Sequence, residues 1–485
     1  MSLSGTLSSA MSGLTAASRA AQVVSSNIAN AMTEGYGRRE LSLGARVVGS
    51  SGQGVQVNGI QRIANMVAIG DRRFADAGLA DTSAKASFFR GLETAIGLPD
   101  SADSLSGRIS ALDATLLSAA SRPDSEARLS QVADATRSVI GRLVSASKMV
   151  QTARSRADDQ IESQVATVNS ALRRIAEMNA EIRTTSGTGS DTSALIDQRQ
   201  QAIDSISSII PLREIPRDQG TVALFSASGA VFLDGLPTEL GFSPVGVITP
   251  DMTVEQGTLS GLTLNGRPIS ISGANSLISG GSLAANFAIR DDLSVAAQAK
   301  LDAIARDLVE RFQDPAIDPT LTLGDAGLIT DSGGAFDEAN EVGLSQRLRL
   351  NAAVDPQQGG DLWRIRDGIG ATGPGLVGDS TLISALQLAL TADREPASGG
   401  FMAGTRSLSV LVGDYISNVS TQRLSAESET SFAQGKADAL KVIELSDGVD
   451  TDAEMQRLLL IEQAYSANAK VMQMVDEMLQ TLIRI

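Results

Sequence analysis

Residues 3–30 read LSGTLSSAMSGLTAASRAAQVVSSNIAN. Apolar residues fall at Leu3, Leu7, Ala10, Leu14, Ala17, Ala21, Val24 and Ile28, an unbroken alternation of four and three. That spacing lays one stripe along a helix, the seam of a coiled coil. Near the other end the alternation returns at Leu458, Ile461, Tyr465, Asn468, Met472, Val475, Leu479 and Leu482, interrupted only by Asn468. Two seams at opposite ends predict that the chain brings its ends together as a helix pair and assembles through them. A terminal helix hairpin in an ordinary monomer would carry the same pattern, so the seams by themselves leave both readings open.

The first seam is too poor to hold a helix alone. Three of its eight residues are Ala, and Gly5 and Gly13 each cost about 1 kcal/mol relative to Ala. Isolated helices are marginal in water even with good sequences, so this one is expected to be frayed in a free monomer. Docking on the C-terminal helix would bury about a dozen side chains at roughly 1–2 kcal/mol each, before entropy is subtracted. Asn468 reads either as a polar contact that sets register or as a residue facing a channel or loop. Tyr36 and Tyr465 read either as anchors to the next domain or as plain amphipathic packing.

Composition removes whole classes of function. The chain of 485 residues has a formal charge of −16, which disfavours nucleic acid and anionic membrane surfaces. It has no Cys and no His, which removes disulfides, thiolate or imidazole metal sites and any Ser-His-Asp triad. No cofactor, metal site or catalytic residue is expected; a carboxylate-based hydrolase in an outer domain is the one enzymatic reading left. No stretch reaches the roughly 18 apolar residues that span a bilayer. The first cation is Arg19, so no cleavable secretory signal is expected. Gly368-Ile369-Gly370-Ala371-Thr372-Gly373 spells a dinucleotide motif, but Pro374 and Gly375 follow where a helix should begin, so it reads as a loop. Asp158-Asp159 and Asp291-Asp292 do not converge as acid pairs and read as solvated helix faces or caps.

Periodicity predicts a mainly α protein with inserted β structure. An extended hairpin or loop covers Arg39–Val57, with Gly44, Gly49, Gly52 and Gly54 along it, and helix runs from about Ile60 to Ala95, closed by Pro99. A short helix lies between Ser104 and Pro123. A long one runs from about Glu126 to Thr184, and another from Ser193 to Ile209. Short β-branched runs then fill Leu212–Ala274, with Asn265-Gly266 suited to a type I′ hairpin. Helix is expected again at Leu283–Phe312, Asp379–Leu390 and Gly404–Ile443. Thr451 and Glu454 read as a capping box for the last helix. The expected division is a paired-helix terminal domain (1–60 with 445–485), an elongated helical core (61–211, 275–313, 376–444), an inserted β domain (212–274) and a small mixed outer region (314–375).

Asn27-Ile28-Ala29-Asn30, Thr33 and Gly35-Tyr36 resemble the N-terminal signature shared by bacterial flagellar rod, hook and hook-associated proteins. Glu454-Met455, Leu458, Gln463-Ala464-Tyr465-Ser466-Ala467-Asn468-Ala469-Lys470-Val471 and Asp476-Glu477-Met478-Leu479 resemble their C-terminal helix. Ala194-Leu195-Ile196-Asp197-Gln198-Arg199, and Gly280-Gly281-Ser282-Leu283 leading to Arg290-Asp291, are similar to the hook–filament junction branch of that family. Met32-Thr33-Glu34-Gly35 departs from relatives, which often have Asn and Pro flanking the Thr. The resemblance implies a structural, non-enzymatic chain that leaves the cell unfolded by type III export, without signal cleavage. It implies self-assembly in a ring outside the cell, with the hook protein and the next hook–filament junction protein as neighbours. It also implies a flagellar export chaperone at the C-terminal helix. The assembly interface would be Leu3, Leu7, Leu14, Ala21, Val24 and Ile28 of the first seam and Leu458, Ile461, Tyr465, Asn468, Met472, Val475, Leu479 and Leu482 of the second, together with Asn27, Asn30 and Tyr36. A hook or filament subunit is the alternative within the same axial class.

Overall fold

The computed structural model describes residues 3–33, 35–48, 51–98, 101–271, 273 and 276–484. Glu34, Gly49 and Pro99, and the boundary residues Ala274 and Asn275, lie outside the described residues. Helix α1 (Leu3–Ala29) leads into an antiparallel hairpin of β1 (Arg38–Val48) and β2 (Ser51–Ile63). Ile60–Ile63, expected in the following helix, are instead rungs of the hairpin: Ile60 pairs with Leu41 and Ile63 with Arg38. Strand pairing overrides the local helical period there, and Asn65 then caps α2 (Met66–Ile96) by accepting from the Ala68 amide.

Helix α3 (Leu105–Ser121) is followed by α4 (Glu126–Gly187), a single helix of 62 residues. Its length has a physical basis, for its buried stripe serves two hydrophobic clusters in turn. Leu129, Val132, Val139, Leu143 and Val150 pack with α2 and α3, while Ile161, Val165, Val168, Leu172 and Ile175 belong to the second cluster.

That second cluster is completed by α5 (Ser193–Ser207) and by the strands β3 (Leu212–Pro216), β4 (Val222–Ser226), β5 (Val231–Asp234), β6 (Leu236–Pro237), β7 (Leu240–Gly241), β8 (Thr263–Leu264) and β9 (Arg267–Pro268). They form two antiparallel sheets, ordered β3-β4-β5-β6 and β7-β8-β9. Asn265 and Gly266 both have positive φ (49° and 76°), as a type I′ turn requires. Although its sequence sets 212–274 apart, its inward residues Leu224, Phe232, Leu233 and Leu262 share one core with α4 and α5. Strands this short cannot bury enough surface among themselves.

Helix α6 (Gly281–Ala288) passes through a π turn (Ile289–Leu293) into α7 (Ser294–Gln313). Arg290 in that turn is fully buried beneath Phe242 and Phe287 and bonded to Asp158 at 2.6 Å and Asp291 at 2.8 Å. Asp158, read from sequence as part of a solvated helix face or cap, is therefore a buried counter-ion: it lies on the covered stripe of α4 and also accepts from the Val245 amide.

The segment 314–375, expected as an outer region, contributes to the first core. It includes β10 (Ile329–Asp331), α8 (Leu344–Arg347), β11 (Leu348–Leu350) and α9 (Arg364–Asp367), and it buries Ile329, Leu344, Leu348, Val354 and Ile365 against the helices. The glycine-rich stretch after α9 is a loop. Its Ile369 and Gly370 amides already donate to Asp318 and Thr320 side chains, so they are not free for a phosphate. Helix α10 (Thr381–Thr391) follows, then α11 (Leu408–Ser446), which lies antiparallel along α2, and finally α12 (Thr451–Arg484). Among the described residues no helix is long and apolar enough to cross a membrane.

Candidate assembly site: the paired termini

Helices α1 and α12 pack side by side, and the β1–β2 hairpin covers a second flank of α1. Ala10, Ala17 and Val24 of the first seam are buried, whereas Leu3, Leu7, Leu14, Ala21 and Ile28 are half-buried. Ala16 and Val23, off the seam, are buried as well. The hairpin is the reason: the Val55 amide donates to Ser12 Oγ at 3.1 Å, and a Cβ at Gly54 would meet Ser12 and Ser9. The small residues that weaken α1 as a free helix thus let two neighbours approach it closely, one more than a heptad reading provides.

On α12, Glu454 and Val475 are buried; Leu458, Ile461, Asn468 and Met472 are half-buried. Tyr465, Leu479 and Leu482 remain 48%, 38% and 58% exposed. Asn468 Nδ2 donates to the Ala464 carbonyl of its own helix at 2.9 Å. Its side chain sits over Gly13, where an added Cβ would lie 2.8 Å from both amide atoms. The contact with α1 is therefore steric, a polar knob over a glycine. An open groove of about 860 Å³ runs between Ala17, Ala21 and Ser25 on one side and Leu458, Ile461 and Tyr465 on the other.

A polar node closes the pair at its inner end. Asn27 is fully buried. Its Nδ2 donates to the Arg39 carbonyl (2.8 Å) and to Glu454 (3.0 Å), and its Oδ1 accepts from the Tyr36 hydroxyl (2.9 Å) and the Arg39 amide (3.0 Å). One side chain therefore ties α1, the chain entering the hairpin, and α12. Arg38 and Arg457 flank Glu454 at 3.7 and 3.2 Å. Asn30 bonds back to the Ser26 carbonyl and stops α1. The Thr451–Glu454 capping box does not form, because Glu454 is drawn inward to Asn27. Asp450 caps α12 in its place, accepting from the Asp452 and Ala453 amides.

Sequence reading missed the residues that join this unit to the rest. Asp197 of α5 accepts from the Gly37 amide (3.1 Å), Arg39 (3.1 Å) and Arg62 Nε (2.6 Å), and Arg62 also bonds Gln200. Its neighbour Arg199 is turned the other way, to Asn179 and the Gly220 carbonyl, and burial lowers its pKa. Nearby, Arg72 binds Asp76, Asp204 and Glu444. Burial opposes the Arg72 charge, but those carboxylates outweigh it and push its pKa up. Asp197 stood within a recognised motif, yet no local pattern could tell that it faces a hairpin more than a hundred residues earlier. Among the described residues no group of three or more acidic side chains is arranged to hold a metal ion.

Comparison with known proteins follows the same map. A family profile described as "Flagella basal body rod protein" matches residues 7–36, and one described as "Flagellar basal body rod FlgEFG protein C-terminal" matches 446–485. Between them, "Flagellar hook-associated protein FlgK helical domain" matches 92–315. The chain is 24% identical to flagellar hook-associated protein 1 of Bacillus subtilis, covering 98% of this chain and 97% of that protein. It is 28% identical to the Salmonella typhimurium protein of the same name over 48% of this chain, and that match spans only 43% of the relative's length. The solved flagellar hook junction protein FlgK from Burkholderia pseudomallei is similar at a TM-score of 0.44 and 17% identity, over 54% of this chain and 47% of that one.

Proposed function

We infer that this chain, a member of the flagellar hook-associated family, is a structural component of the bacterial flagellar axis that joins hook to filament. One observation carries the reading: the two segments that match flagellar rod proteins, 7–36 and 446–485, are the two that meet at the Asn27–Glu454 node. The terminal unit of α1, α12 and the hairpin polymerises: the half-buried and exposed seam residues with Asn30 and Tyr36 form its working surface, and the buried Asn27, Val24 and Val475 hold the unit in shape behind it. Its partners are further copies in a ring, the hook protein, the next junction protein and, before export, a chaperone on α12. The chain acts outside the cell without signal cleavage and performs no catalysis.

Burial supports a graded version of fold-on-docking. The inner end of the helix pair is tied by the node, while Leu479 and Leu482 lie open toward the distal end. The distal turns fray in the monomer and order against neighbouring subunits. Electron microscopy of cells lacking the gene, with a gel of the culture medium, tests the role. Hooks without filaments and flagellin lost to the medium are expected. Missing hooks would move the chain to hook or rod, and intact filaments would overturn the reading.

A further inference from the structure

The terminal unit shares no hydrophobic core with the body. Among the described residues, neither buried cluster includes a side chain of α1, the hairpin or α12. What joins the two parts is polar. Asn65 bonds Asp447 at 3.0 Å where β2 enters α2 and α11 leaves for α12, and Gly35 lies against Gln201. The Asp197 carboxylate is the centre of this joint. Its side chain is 10% exposed, and it gathers the Gly37 amide just before β1 and one guanidinium from each strand of the hairpin.

We propose that Asp197 is an angle-setting clasp, the positioning residue that holds the polymerising terminal unit at one orientation to the body. Three directional bonds from separate points of the hairpin fix a rigid body where a single bond would leave a swivel. Charge-assisted bonds of this kind are roughly twice as strong as neutral ones. Apolar contact is non-directional, whereas a carboxylate gripped by Gly37, Arg39 and Arg62 has bond directions to satisfy. Gly35 serves the same joint: its φ is 76°, and a Cβ there would lie 2.7 Å from Gln201. The left-handed φ is what favours glycine at this turn, and the exposed Gln201 side chain would have to move aside for any other residue. Without the clasp, the two chain connections at residues 64–65 and 447–450 would act as a hinge, and each part would keep its own fold.

The chain has no Cys, so spin labels can be placed at will on the full-length protein. Ser170→Cys on α4 and Gln463→Cys on α12, near the tied inner end of the helix pair, are both exposed positions. The parent is expected to give one narrow label-to-label distance distribution. Asp197→Ala should broaden it at least twofold or add a second population, while the thermal melt of the body stays in place. Arg62→Gln approaches the clasp from the hairpin side and decides the matter if Asp197→Ala weakens α5 itself. A narrow, unshifted distribution in Arg62→Gln, or a broad one in the parent, would overturn the proposal. The clasp rests on this chain's own contacts, so it and the axial role fail independently.

Discussion

Replacing Asn27 by Ala removes four hydrogen bonds at once. Three are to neutral groups, the Tyr36 hydroxyl and the Arg39 amide and carbonyl, and each contributes about 1 kcal/mol. The fourth, to the Glu454 carboxylate, falls in the range of about 1.5–3 kcal/mol for a charged partner. About 6 kcal/mol is therefore a ceiling. Water reaching the partly buried Tyr36 and Arg39 recovers some of it, and Arg38 and Arg457 still face Glu454. A loss of about 3 kcal/mol corresponds to roughly a hundredfold increase in local opening. Hydrogen exchange on the full-length monomer reads this directly. Segments around Asn27 and around Glu454 should exchange roughly a hundredfold faster, with α4 unchanged. The isosteric Asn27→Asp should be as harmful, because it sets a second carboxylate 3.0 Å from Glu454 Oε2. Adding Glu454→Gln to it should restore most of the protection, with a coupling of about 0.5–3 kcal/mol. Parent-like exchange in Asn27→Ala, or no recovery in the double variant, would refute the node.

Other consequences are as direct. Gly13→Ala should fall short of the roughly 1 kcal/mol it usually adds to a helix, because its Cβ meets Asn468; with Asn468→Ala the full gain should appear in the same exchange assay. Leu14→Asp or Leu479→Asp should abolish incorporation into flagella, seen by microscopy, while circular dichroism of the monomer stays essentially unchanged; normal assembly would count against the seam. At Asp355, burial works to raise the carboxyl pKa, but bonds from Gln358, Arg137 and the Gln357 amide outweigh it and lower the value. A lowered carboxylate stabilises the fold above its unfolded pKa of about 4 and loses that contribution as pH falls through the folded value. Arg137→Gln should therefore move acid unfolding to higher pH, followed by fluorescence of the lone Trp363; an unmoved midpoint would rule out that role.

Heptad spacing at both ends was legible because it is a local, repeating signal, and so were the long α4 and the Asn265-Gly266 hairpin turn. Residue type misled where an element's surroundings decided its state. Ile60–Ile63 pair across the hairpin with Arg38–Leu41, so their helical period never acts. Glu454 spells a cap but answers to Asn27 from the opposite end of the chain. Asp158 looks solvated until Arg290 is folded over it.

That the ends pair, that α1 is built from poor helix formers and that no Cys or His chemistry operates could all be read along the chain. Those follow from composition and short periodicities, which need no partner to be read. Folding settles which small residues of α1 admit a second neighbour, that the β segment and the 314–375 segment belong to shared cores, and that Asp197 grips the hairpin. Each depends on groups far apart in the chain meeting within hydrogen-bond or van der Waals range. No local pattern encodes such a meeting, because the energy that selects it arises only when both sides are buried together.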